Sequence, residues 1–148
     1  MLRAAALGCS LLFVACAPQQ VTVVMNAQNN SGQSGVATLT DLGGTTRVVI
    51  LIRKSEFGEK QPTHLHNGRC GEIGPRQDTS SRGKTIGLAS IAPADPSMMI
   101  DIPATDGGYG ASSSDVDLTM KEITNGDWVI NVHDAADFAL YVSCGNIN

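Results

Sequence analysis

The fold class is decided by one stretch, Val21-Thr-Val-Val-Met25, then Asn29-Asn-Ser-Gly32, Gly35-Val-Ala-Thr-Leu39, Asp41-Leu-Gly-Gly44 and Arg47-Val-Val-Ile-Leu-Ile52. The first, third and fifth pieces are short and rich in β-branched residues, which favour a pleated, half-buried surface over a helix. The second and fourth hold Asn, Asp, Ser and Gly, which turn a chain by tolerating positive φ or by bonding their own backbone. Strand, turn, strand, turn, strand is the resulting reading. Working outward, Thr85 to Ile91, Asp115 to Met120, Trp128 to Val132 and Leu140 to Cys144 repeat the strand pattern, and Thr105-Asp-Gly-Gly-Tyr-Gly110 and Thr124-Asn-Gly-Asp127 repeat the turn pattern. No stretch sustains a helical stripe, and no internal repeat is present. The chain is therefore expected to be all-β, an antiparallel β-sandwich or flattened barrel of about seven to eight strands.

Two longer segments, Gly71 to Gly83 and Ala92 to Ser114, carry the Gly, Pro, Ser and Asp content of surface loops. Neither contains His or Cys, and Asp95, Asp101 and Asp106 read as solvated turn charges.

The N-terminus follows a different logic. Arg3 precedes an apolar run from Ala4 to Ala15 that is too short to span a bilayer as a helix and fits an export signal. The run ends Leu11-Leu-Phe-Val-Ala-Cys16, which resembles a bacterial lipobox, although Phe13 stands where leucine is usual. The expectation is a signal peptide over residues 1–15, lipidation at Cys16, a tether over residues 16–20 and a single domain over residues 21–148. Ordinary signal cleavage and a buried N-terminal helix are the alternatives. The lipid would tie the protein to the membrane on the periplasmic or outer side of a bacterial envelope. Cys9 would leave with the signal, so Cys70 and Cys144 remain able to pair in an oxidising compartment.

About 130 residues beyond Cys16 suffice for one core but not two. The net charge is −4 and the basic residues are scattered, which excludes the cationic footprint of a nucleic-acid binder. The strongest later apolar run, Val48 to Ile52, is only strand-sized.

All three histidines lie in two segments that each lead to a cysteine, Gln61-Pro-Thr-His64-Leu-His66-Asn-Gly-Arg-Cys70 and Val129-Ile-Asn-Val-His133, the latter continuing to Cys144. In a strand, residues two apart share a face, so His64 and His66 can present their rings as a chelating pair. His133 would supply a third nitrogen, and a Cys70–Cys144 bridge would draw the two segments together. Three imidazoles with an open position suit copper or zinc, and this ligand set does not choose between them. Asp134 and Asp137 follow His133 closely enough to orient an imidazole, though a solvated loop is the simpler reading. Trp128 is expected at the edge of the core, and the five methionines as packing residues.

The segments His64-Leu-His66 with Cys70, Val129-Ile-Asn-Val-His133, and Tyr141-Val-Ser-Cys144-Gly-Asn-Ile resemble the copper-site and disulfide segments of Cu/Zn superoxide dismutase-like proteins. The pattern Gln-Pro-x-His-x-His-x-Gly-x-Cys is similar to bacterial secreted members, including those described as chordin-type. The resemblance implies a Greek-key β-sandwich, copper held by His64, His66 and His133, and a structural bridge between Cys70 and Cys144. It also exposes departures. No histidine lies between Asn67 and Val116, where the family's bridging and zinc-binding histidines fall, so a zinc subsite of the usual type cannot form. Tyr141 stands where the family places its superoxide-guiding arginine, and Arg69, Arg76 and Arg82 read as solvated loop charges rather than replacements.

The expected function is therefore that of an envelope copper-binding, dismutase-like lipoprotein with weak or no superoxide dismutase activity. The alternatives are an active copper-only dismutase and a structural β-domain without metal. Zinc is a candidate substitute in the same site. The oligomeric state and any copper-delivery partner are not readable from the sequence.

Overall fold

The computed structural model describes residues 17–55, 60–71, 85–93 and 108–147. Eight strands and one short helix follow in the order β1 (Gln20–Ala27), β2 (Ser34–Asp41), β3 (Thr46–Ser55), β4 (Gln61–Asn67), β5 (Thr85–Pro93), β6 (Gly108–Val116), α1 (Met120–Asn125), β7 (Trp128–His133) and β8 (Tyr141–Ile147). The strands close an antiparallel barrel in the order β1-β2-β3-β6-β5-β4-β7-β8. Two of its seams are short in register. β5 pairs with β6 through Ala92↔Ala111 and Pro93↔Gly110, and β1 pairs with β8 through Asn26↔Cys144 and Ala27↔Ser143. Between these seams lie two four-stranded halves, β1-β2-β3-β6 and β5-β4-β7-β8.

Period-2 alternation sets the register. Val23, Ala37 and Ile50 align across β1, β2 and β3, as do Val21, Leu39 and Val48. Val23, Ala37, Ile50, Leu39 and Val48 are buried and Val21 packs against them, while Val24, Val36 and Val49 face outward. Leu65, Ile91, Val116, Ile130, Val132, Val142 and Ile147 complete the core from the remaining strands, with Ile123 of α1 and Trp128.

β8 lies close against β1 because Gly145 carries no side chain. A Cβ there would stand 2.6 Å from Met25 Sδ, 2.7 Å from Val23 Cγ1 and 2.9 Å from the Val24 carbonyl oxygen. Gly145→Ala is expected to lower stability by about 1–3 kcal/mol through overpacking, read as a lower urea midpoint with an unchanged m-value.

Several expectations change on contact with this structure. β6 runs through the segment expected to be loop up to Ser114, because its Gly and Ser residues have little strand preference of their own. A continuous ladder to β3, from Thr46↔Val116 to Arg53↔Tyr109, holds them extended. The strand expected over Asp115 to Met120 ends at Val116 and gives way to α1. Thr119 and Glu122 form a capping box, in which the Thr119 hydroxyl accepts from the Glu122 amide at 3.2 Å and the Glu122 carboxylate accepts from the Thr119 amide at 2.8 Å. β1 begins at Gln20, one residue before the strand expected from Val21. The signal segment, Cys16, Met98, Met99, Arg76, Arg82, Asp95, Asp101 and Asp106 lie outside the described residues. Among the described residues, no helix is long and apolar enough to cross a membrane.

Candidate metal centre

Register carries the three histidines to one place. On β4, Leu65 turns into the core, so His64 and His66 point to the opposite, outer face of the barrel. On β7, Ile130 and Val132 turn inward, leaving Asn131 and His133 on that same outer face. Pairing of His64 with Asn131 and of His66 with Val129 sets the two strands side by side. Each histidine offers one ring nitrogen, and the three lie within 4.8 Å of one another. His64 is half-buried, whereas His66 and His133 are 5% and 0% exposed.

The hydrogen bonds identify which nitrogens face the centre. His133 Nδ1 is 2.7 Å from the Phe138 carbonyl oxygen, which can only accept, so Nδ1 carries the proton and Nε2 keeps its lone pair. That Nε2 lies 2.9 Å from His64 Nδ1. His66 Nδ1 faces the Thr85 hydroxyl at 3.2 Å, and its Nε2 is buried with no partner at all. Two nitrogens bound about 2.0 Å from one ion at a right angle to each other stand about 2.8 Å apart. The separation of His64 Nδ1 and His133 Nε2 thus suits an ion in place of the proton they share, and the orphaned His66 Nε2 supplies the third donor. The three side chains fit a metal ion.

Electrostatics agree with this assignment. Burial lowers the pKa of His64, and burial together with the neighbouring His64 pushes His66 down to about 4. His133 is likewise lowered to about 4, by burial first and then by His64, against the opposing pull of the Phe138 carbonyl. The rings are neutral at physiological pH, as ligation requires. An unfolded chain takes up protons at these positions below the ordinary 6.5, whereas the folded chain resists until about 4. Stability present above pH 6.5 is therefore lost as the pH falls through this window. Metal-free protein should show a lower urea midpoint at about pH 4.5 than at about pH 7.5, and bound metal should be released over the same acid range.

The surroundings hold the ligands in place. The Asp134 carboxylate accepts from the amides of Ala136 and Asp137, both at 2.9 Å, and the Asp137 carboxylate accepts from Ala139 at 3.1 Å. These bonds fold the turn that presents the Phe138 carbonyl to His133. Gln61, buried on the core side of β4, donates to the His133 carbonyl at 3.3 Å and to Gln33 at 2.9 Å. Cys70 and Cys144 are joined by a disulfide, their Cα atoms 5.9 Å apart. The Cys70 amide also donates to Asn146 at 2.8 Å, pinning the segment after His66 to β8. Arg69 pairs with Asp127 at 3.1 Å on the open surface, in keeping with a solvated charge.

Two further buried polar residues stand at the site. Asn131, 1% exposed, leaves both side-chain polar atoms without a partner, and so does the hydroxyl of Tyr141, 3% exposed. Tyr141 is the cross-strand neighbour of His133; its ring lies edge-on to that histidine at 4.9 Å and to His66 at 6.1 Å. Burial pushes its pKa up to about 12, so it stands as a neutral phenol. An isolated asparagine in an apolar strand reads as a sheet residue, and only the β4–β7 register shows it beside the histidines. Comparison of the sequence with protein-family models gives no match, and comparison with curated proteins gives none either.

Proposed function

We propose that this chain binds a copper ion through His64 Nδ1, His66 Nε2 and His133 Nε2, as an envelope-anchored, dismutase-like protein without a zinc subsite. The observation that carries the reading is the convergence of three neutral imidazoles, one with an orphaned buried nitrogen, in a group that no carboxylate joins among the described residues. An all-nitrogen set of this kind suits copper and accepts zinc as a substitute. The strand order, in which β7 returns beside β4 after the β4-β5-β6 run, is the pattern of a Greek key and supports the dismutase-like reading.

When bound, copper supplies one-electron redox chemistry between two oxidation states. The chain's own residues hold the ligand rings neutral, fix the His133 tautomer through the Phe138 carbonyl, and leave His64 partly open to solvent. They bring no second histidine cluster among the described residues, and Arg69 pairs with Asp127 on the open surface. Weak or absent dismutation follows, because none of the described residues sets a cationic side chain at the centre to draw the anion in.

Titration with copper, followed by electron paramagnetic resonance, tests the site: one equivalent with three-nitrogen ligation is expected. Failure of the refolded, bridged protein to take up copper or zinc at micromolar levels leaves a structural β-domain. Superoxide turnover equal to that of an authentic dismutase, measured against free copper, would instead make the protein an active copper-only enzyme. Membrane anchoring rests on Cys16, and Cys16→Ala should move the protein from the membrane to the soluble fraction.

A further inference from the structure

The half of the barrel that carries no histidine shows an apolar row on its outer face. Val24 of β1 pairs with Val36 of β2, Val36 with Leu51 of β3, Leu51 with Ala111 of β6, and Ala111 with Ala92 of β5. All five point outward, since their chain neighbours Val23, Ala37, Ile50, Ser112 and Ile91 are buried. Two residues along each strand, Thr22, Thr38, Val49 and Ser113 align as a second uncharged row. Val24, Val36 and Val49 are 63%, 39% and 39% exposed, and they are three of the five large apolar side chains that stand exposed among the described residues. The solvent face of an antiparallel sheet ordinarily carries polar residues, so apolar side chains gathered in register mark an interaction surface.

We propose that this face is the contact between two copies of the chain, packed sheet against sheet about a two-fold axis. In such a contact a surface meets itself, and each charge is set against the same charges of the partner. A chain of net charge −4 therefore approaches its own kind most easily where its acids are absent or neutralised. This face meets that condition. Among the outward positions of β1, β2, β3 and β6, the charged groups are Arg53 and the pair Arg47 and Asp115, in which the guanidinium donates to both carboxylate oxygens at 2.7 and 2.9 Å. A lipid surface is a poorer occupant, because faces that seat in headgroups surround Trp, Phe or Leu with many Lys and Arg, whereas here Thr and Ser flank the apolar row beside a neutralised ion pair. Four strands about 4.8 Å apart, each giving four outward positions about 6.8 Å apart, make a face of roughly 500 Å². Stable complexes bury about 800 Å² a side, so the dimer is weak and reversible. The histidines on β4 and β7 belong to the other half of the barrel and stay clear of the contact.

Sedimentation velocity of the full chain carrying Cys16→Ala, which removes the proposed lipid attachment point, tests this without copper. A monomer–dimer equilibrium is expected within roughly 1–500 μM. Val36→Lys and Thr38→Lys, made separately, set like charges against one another across the two-fold axis and should weaken association at least about tenfold. Each also lowers the net negative charge, so the loss reports the face and not overall repulsion. Both side chains point out of the barrel, and the melting temperature of each variant should stay close to the parent's. Asn125→Lys makes the same charge change on the exposed side of α1, outside the face, and should leave the equilibrium unchanged. A parent that is monomeric at about 500 μM overturns the proposal. So does a dimer that both Val36→Lys and Thr38→Lys leave intact, and so does one that Asn125→Lys weakens equally. Copper uptake has no part in this outcome, so the dimer and the metal centre stand or fall separately.

Discussion

His66→Ala should abolish copper uptake while leaving the metal-free fold almost untouched. His66 Nε2 makes no bond within the protein, so its removal deletes an unpaid desolvation cost along with the imidazole, and the remaining loss is limited to the Thr85 contact and local packing. Ligation has no such substitute. Loss of groups that merely orient a ligand already weakens metal binding 10–100-fold, so loss of the ligand itself should weaken it by about a hundredfold or more. The expected pair of results is a copper titration with no stoichiometric break and a metal-free melting temperature close to the parent's. A structural role for His66 predicts the reverse pair, with unchanged uptake and a lowered melting temperature. His133→Ala should also eliminate the three-nitrogen signal, but with a fold penalty, because that side chain is fully buried and bonded to the Phe138 carbonyl.

Removing the Cys70–Cys144 bridge should have the largest effect on stability. The two cysteines are 74 residues apart, and in the chain-entropy model closing so long a loop stabilises the fold by roughly 4 kcal/mol. The double variant Cys70→Ser, Cys144→Ser should therefore melt roughly 10–20 °C lower than the parent, and reductant should shift the parent by the same amount. The consequence reaches the centre as well. Cys70 ends the segment that follows His66, and Cys144 of β8 is paired with Asn131 of β7, the strand that carries His133. Copper affinity should fall in the reduced protein even at temperatures where the barrel remains folded, measured by titration with and without reductant.

The parts that were legible in the sequence share a physical cause. Strands β1, β2, β3, β5, β7 and β8 announce themselves because β-branched residues and flanking turn residues act locally. The histidine group that lies close enough to hold a metal was legible because histidine is scarce here and two of the three sit at the spacing that shares a strand face. β6 was not legible, since its glycines and serines become a strand only through the neighbour they pair with. α1 left a signal, Thr119-x-x-Glu122, that was outweighed by the lack of a long helical stripe. The bond from His133 to the Phe138 carbonyl involves a backbone group, which has no residue type to betray it.

Composition and alternation by themselves determined that the chain is all-β, that it pairs antiparallel strands, and that His64, His66 and His133 are its candidate ligands. Tertiary structure alone decided that the strands close into a barrel, which nitrogen of each ring faces the centre, and that Tyr141 and Asn131 stand beside it unsatisfied. The division follows from range. Strand preference and face alternation are properties of neighbouring residues, whereas a centre assembled from β4, β7 and β8 depends on registers between segments about 70 residues apart, set by how the whole barrel closes.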